Sequence, residues 1–351
     1  MTTAPEPTRL DPASLHFGLD TFGDLQDGDF AATLRKVVDQ ARLADQVGVH
    51  ALNLGEHHRD DYAISAPDTV LSYIAAATER LHLGTAVVVL SSDDPVRVYE
   101  RISTLHALSG GRAELTVGRG SFTESFPLFG YDLAKYEGLF EEKLAMLVQL
   151  WRERPATWDG ELAQSLSKQE LYPPLDATGS VPPLAVAVGG SPQSVVRAAY
   201  HDLDLRLAVI GGAPERFAPF ADLYRRAQDE FGHVQDNSVG FHSPGLIADT
   251  DEEAAKAFYP QYAANNNRVG AERGWPRMTR ARFDDEVTHG ALFVGSPETV
   301  ARKVADAMLA LGADTFDLKI GLGSQEAQLR SIELLGTKVA PMVRDMVADA
   351  A

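Results

Sequence analysis

The densest group of side chains able to move protons is Glu56-His57-His58-Arg59-Asp60-Asp61. An unperturbed imidazole titrates near neutrality, so His57 or His58 could act as general acid or base, with the carboxylates fixing a tautomer. Metal ligation is the competing chemistry. Adjacent side chains at the end of an extended segment point to opposite sides, and neither H-x-H nor H-E-x-x-H occurs, so no metal centre is expected at this cluster. A hydrogen-bonded loop without catalytic work stays open at this point. Two glycine-flanked segments could hold an anion. Gly118-Arg119-Gly120-Ser121 offers a guanidinium beside exposed backbone N–H groups, and Gly189-Gly190-Ser191-Pro192-Gln193-Ser194 places N–H groups at a helix start with Ser191 as cap. Either alone is also an ordinary turn; together they point to a phosphate-bearing ligand. Gly295-Ser296-Pro297-Glu298 reads instead as a structural helix entry. The small residues Gly84-Thr85-Ala86 inside the apolar run Leu81–Leu90 suggest a bulge or a flat ligand lying against backbone, beside the plain reading of a core strand. G-x-G-x-x-G, G-x-x-x-x-G-K-[ST] and G-x-S-x-G are all missing, which argues against a Rossmann dehydrogenase, a P-loop enzyme and a nucleophile-elbow hydrolase.

The elements that must position these residues alternate along the chain. Strands are expected at 15–20, 51–55, 81–90, 113–117, 184–188, 205–210, 239–248 and 315–320. Helices are expected at 30–47, 67–78, 95–108, 136–151, 192–200, 214–231, 251–265, 297–311 and 325–347. Eight strands with crossover helices predict an α/β fold, a (β/α)8 TIM barrel with insertions, in which Glu56–Asp61, Arg119 and Gly189–Ser194 all follow strands and so share the catalytic face. Residues 1–12 read as a flexible tail and 13–351 as a single barrel domain. Two stretches break the repeat, 154–183 and 268–290, and the second is expected to be a loop at the active-site rim.

Composition narrows the function classes. The 351 residues carry 50 acidic against 32 basic side chains, a net charge of −18, so nothing draws nucleic acid to the chain as a whole. Cysteine is absent, which removes disulfides, thiol nucleophiles and cysteine-held metals. With no signal-like start and no bilayer-length apolar run, no membrane is expected and a cytoplasmic protein is.

From about Leu15 to Val343 the chain resembles the luciferase-like flavin-dependent monooxygenases, the superfamily of bacterial luciferase. The likeness is most specific in Glu56-His57-His58, Pro95-Val96-Arg97, Ser109-Gly110-Gly111-Arg112 and Gly118-Arg119-Gly120. The resemblance implies a (β/α)8 barrel, acid/base work for His57 with His58 beside it, and a nonproline cis peptide at Ala86-Val87 supporting an isoalloxazine ring. It also implies phosphate binding by Arg119 and by the turn holding Gly190, Ser191 and Ser194. The cofactor implied is reduced FMN, used with oxygen on a small organic substrate and supplied by a separate NAD(P)H:flavin reductase. The stretch 268–290 would act as lid. A homodimer is implied through the helices 67–78 and 95–108, with Tyr73, Ile74 and Ile102 as apolar contributors. The chain departs from luciferase in having Gly118 beside the arginine instead of a reactive cysteine, and glycines where luciferase has an acidic residue near Gly190. The alternatives are an F420-dependent oxidoreductase of the same superfamily and a noncatalytic flavin-binding barrel.

Overall fold

A computed structural model describes residues 10–26, 28–234 and 236–350. The elements run in chain order β1 (His16–Thr21), α1 (Phe30–Val47), β2 (Ala51–Leu54), α2 (Pro67–Ala75), β3 (His82–Thr85), β4 (Val88–Val89), α3 (Pro95–Leu108), β5 (Leu115–Gly118), α4 (Ser125–Phe129), α5 (Tyr136–Arg152), β6 (Ala156–Trp158) and β7 (Leu166–Gln169). They continue with β8 (Leu184–Val188), α6 (Pro192–Tyr200), β9 (Asp204–Ala208), α7 (Ala218–Phe231), β10 (Val239–Ile247), α8 (Asp251–Arg273), α9 (Arg280–Thr288), β11 (Phe293–Gly295), α10 (Pro297–Leu311), β12 (Thr315–Lys319), α11 (Gln325–Leu334) and α12 (Ala340–Ala350). The large sheet is wholly parallel, in the order β3-β2-β1-β12-β10-β9-β8-β5-β4. Its two ends are halves of one interrupted strand: β3 pairs with β2, β4 pairs with β5, and a bridge joins Leu83 to Ala113. The result is the expected (β/α)8 barrel.

Helix limits follow their caps. Asp29 accepts from the Ala32 N–H at 2.8 Å and Gly48 closes α1 at φ 77°, a left-handed geometry that glycine adopts without a Cβ clash. Asp94 receives the N–H groups of Val96 and Arg97 at the start of α3. The strands alternate in an unusual sense. Leu19, Leu52, Leu83, Val117, Val186, Leu207, Phe241 and Phe316 are buried in the main apolar core. Their neighbours His16, Asp20, Asn53, His82, Thr116, Arg206, His242 and Asp317 line a central cavity. Barrel interiors are usually filled by branched aliphatic side chains; this one is polar.

Several expectations need correction. Residues 1–9 of the expected tail lie outside the described residues, but Leu10 is buried and Pro12–Ser14 forms a helical turn, so packed structure starts before residue 13. The stretch 154–183 contains the antiparallel hairpin β6–β7. The stretch 268–290 is not a loop: α8 runs on to Arg273 and α9 follows after a short connection. Strand β11, which pairs with the far end of β10, was not anticipated. Ile74 and Ile102 are fully buried within the fold and cannot serve an interface, whereas Tyr73 is exposed.

Candidate functional site

The cavity, about 680 Å³, extends along the barrel axis, lined from His50, His82 and Glu114 at the strand starts to His57, Arg119 and Ser194 beyond the strand ends. That volume suits a small ligand or cofactor. His57 follows β2, and its backbone N–H bonds to the Ile64 carbonyl at 2.9 Å. Its ring sits in an aromatic box, 4.5 Å from the centroids of Phe22 and Tyr62 and 5.4 Å from Phe122. Burial, with lesser contributions from Lys319, His58 and Arg59, pushes its pKa down to about 3. The sequence expectation of an imidazole titrating near neutrality is therefore overturned: His57 is neutral across the physiological range. His58 points elsewhere, its Nε2 2.8 Å from Glu56 Oε1 and its ring against Phe129. Glu56 also receives the Val89 N–H at 2.9 Å, so it ties the loop after β2 to β4.

Between β3 and β4 the Ala86-Val87 peptide is cis, at the bond the resemblance implied. Ala86 and Val87 both line the cavity. Gly84 has a different reason for its size: a Cβ there would lie 1.9 Å from Asn53 Oδ1, so the glycine makes room for a side chain of the barrel rather than for a ligand.

The anion-binding residues come partly together. Arg119 donates to Ser194 Oγ at 3.4 Å, and Arg197, one turn into α6, donates to the same oxygen at 3.1 Å. Glu137 and Glu141 pair with Arg119 and Arg197 respectively. Gly189 and Ser194 line the cavity, whereas Gly190 and Ser191 are not among its lining residues. Ser191 occupies the cap position of α6 without capping: its hydroxyl bonds to Gln193 Oε1 at 2.9 Å. Arg197 was not singled out from sequence, although it stands one helical turn beyond Ser194, where the two face the same way.

The C-terminal end of α8 covers the rim. Arg273 donates to the Ser121 carbonyl at 2.8 Å and lies over the Phe122 ring at 4.9 Å. Arg59 clasps the same region, bonding Asp61, Glu124 at 2.6 Å and Glu272 at 2.8 Å, while Arg268 pairs with Asp61. Deeper in the barrel Asp20 pairs with His242 Nδ1 and leaves its Oδ1 without a partner. Burial opposes a charge on His242, but the Asp20 carboxylate and its hydrogen bond outweigh it and raise the pKa. Asp317, fully enclosed and with Oδ1 unpartnered, has its carboxyl pushed up by burial to about 7. None of these deep residues was anticipated. The available signal was a polar residue at alternate positions of otherwise apolar strands, as in His16-Phe17-Gly18-Leu19-Asp20.

Residues 15–315 match the family model described as luciferase-like monooxygenase. Among curated relatives, the chain is 36% identical to the uncharacterized protein y4wF of Sinorhizobium fredii over 43% of this chain and 44% of that protein. It is 31% identical to the N-acetyl-S-alkylcysteine monooxygenase of Bacillus subtilis over 66% of this chain and 67% of that one. The first of these relatives is thus matched over less than half its length. Among solved structures, monooxygenase RslO1 from Streptomyces bottropensis superposes with a TM-score of 0.82 at 22% identity, covering 93% of this chain and 99% of that one. The oxygenating constituent of 3,6-diketocamphane monooxygenase from Pseudomonas putida, in complex with FMN, gives 0.77 at 20%, covering 93% and 98%. The F420-dependent tetrahydromethanopterin reductase of Methanopyrus kandleri gives 0.71 at 18%, covering 93% and 99%. These structures share the fold, and the family match over most of the sequence decides the rest: the chain belongs to the luciferase-like monooxygenases.

Proposed function

We propose that this monooxygenase takes reduced FMN at the C-terminal mouth of the barrel and uses it with oxygen to oxygenate a small organic substrate. The observation that carries the reading is the convergence at the start of α6 of Arg119 and Ser194, which line the axial cavity, with Arg197 bonded to the same Ser194 oxygen. Two guanidinium groups and a hydroxyl at a helix N-terminus suit a phosphate dianion. The backbone there can be approached closely, since a Cβ at Gly189 would meet nothing within 4 Å. Gly118 lets Val87 pack against the backbone beside it, since a Cβ there would lie 2.9 Å from Val87 Cγ2. When bound, reduced flavin supplies the electrons and the site of oxygen activation. Arg119 and Arg197 hold the phosphate, Ala86 and Val87 support the ring, and Phe22, Tyr62 and Phe122 keep water from His57. His57, neutral and in a dry setting, offers a ring nitrogen for proton transfer, with His58 and Glu56 fixing its loop.

The FMN-bound barrel from Pseudomonas putida supports FMN over F420. The F420-dependent neighbour stands for the alternative, but F420 carries a polyglutamate tail, and that polyanion would meet a chain of net charge −18. The proposal carries a separate NAD(P)H:flavin reductase, since no dinucleotide fingerprint is present, and a cytoplasmic homodimer. No helix among the described residues is long and apolar enough to cross a membrane. The test is a flavin titration. Arg119→Ala should weaken FMN binding by about 10-fold or more, as expected for a lost charged hydrogen bond, while riboflavin binding stays within about 2-fold. Equal loss for both would reject the phosphate site, and binding of F420 in preference to FMN would favour the alternative. Flavin binding without substrate oxygenation would favour the noncatalytic barrel.

A further inference from the structure

The opposite, N-terminal end of the barrel carries a second constellation. Each of the first three repeats enters its strand with an apolar residue and a histidine, Leu15-His16, Val49-His50 and Leu81-His82, and the next does so with Ala113-Glu114. The parallel ladder brings them into one row: the His50 N–H bonds to the Phe17 carbonyl and the His82 N–H to the His50 carbonyl. The rings of His16 and His50 stack at 3.8 Å with 2° between planes, and those of His50 and His82 lie 4.4 Å apart. Glu114 Oε1 is 2.8 Å from His82 Nδ1 and 3.4 Å from His50 Nε2, and one ligating atom from each residue falls within 4.8 Å of the others.

We propose that His50 Nε2, His82 Nδ1 and the Glu114 carboxylate bind a divalent transition metal of the zinc type, at the opposite end of the axial cavity from the flavin mouth. Tetrahedral bonds of about 2.0–2.1 Å set neighbouring ligand atoms roughly 3.3 Å apart, close to the two spacings from Glu114 to the imidazoles. The ion takes the place of the ring protons that now face Glu114: each imidazole binds in its neutral form, with its one proton on the nitrogen turned away from the ion. Glu114 Oε1 faces both imidazoles, so the three ligand atoms already converge on one place. His16 stacks flat on the His50 ring and fixes its plane. His50 and His82 remain partly exposed, which leaves an approach from solvent and a fourth position for water. Two imidazoles favour zinc, nickel or copper over magnesium and calcium. Ala86 lies four positions beyond His82 along the third strand, about 13 Å at the usual rise, so the ion would not touch the flavin.

The experiment uses the full-length chain stripped with chelator and then dialysed against zinc with excess magnesium. One zinc per chain, bound with a Kd on the order of micromolar or tighter, is expected, and cobalt in its place should show the strong visible bands of a four-coordinate centre. His82→Asn keeps an N–H toward Glu114 but loses the ligand, and should weaken zinc binding by about 100-fold or more. His50→Asn serves as the second reading if thermal melting shows the first variant unfolded, and His57→Asn should keep the full zinc content. Equal zinc uptake by folded His82→Asn or His50→Asn and the wild type would overturn the proposal, as would a wild-type chain that takes up no zinc at about 100 µM.

Discussion

At His57 the environment decides what the residue type leaves open. An imidazole held neutral by a dry aromatic box does not switch charge between pH 5 and 8, so a pH–rate limb in that range belongs to another group. His57→Ala should slow oxygen transfer by roughly 10²-fold while leaving FMN affinity within a few-fold, measured by single-turnover kinetics. The same burial has a thermodynamic side. The folded pKa lies below the unfolded one, so the unfolded chain binds the extra proton as pH falls from about 6.5 toward 3, and stability is lost over that window. His57→Asn should lose less of its Tm on acidification. Asp317 works in the opposite direction. Its folded carboxyl titrates near 7, so stability declines as pH rises from the unfolded value of about 4 through 7, and Asp317→Asn should raise Tm at pH 8 by several degrees with little change at pH 4. Residue identity pointed to His57, His58 and Arg119, because glycine and histidine clusters stand out along a chain. It did not point to Asp317 or Glu114, which become conspicuous only when the sheet brings distant strands together.

Among the elements, those with side-chain caps were legible to the residue, as Phe30–Val47 and Pro95–Leu108 show. The third strand was not. Its run from Leu81 to Leu90 reads as continuous, yet pairing passes from β2 to β5 on either side of Ala86-Val87. The helix α8 was expected to end at residue 265, where the polar run Asn265-Asn266-Asn267 begins. It continues because Asn267 Oδ1 receives the Met278 N–H at 2.7 Å and Gly270 allows Trp275 to approach, a Cβ there lying 3.1 Å from that of Trp275. The clasp centred on Arg59 then governs how tightly this element closes the rim. Arg59→Ala should speed hydrogen exchange in residues 268–279 by about 10-fold or more while lowering global stability by only about 1 kcal/mol, since its partners Glu124 and Glu272 are partly exposed.

Across the whole molecule, the proposed dimer must be built without Ile74 and Ile102. Tyr73 and Leu108, exposed by 64% and 70%, are the apolar groups that the two helices present outward. Sedimentation at micromolar concentration should give twice the chain mass, and Tyr73→Glu should shift it toward the monomer. The polar lumen has another consequence. Cohesion here belongs to the annulus between sheet and helices, where the aliphatic and aromatic side chains of the strands are buried. The axis contributes little to it and is carved by Gly18, Gly84 and Gly240 to seat Asp317, Asn53 and Arg206. Stability and chemistry are therefore stored in different layers, so the lumen can drift toward new ligands while the scaffold around it stays intact. That separation gives such a barrel its evolvability.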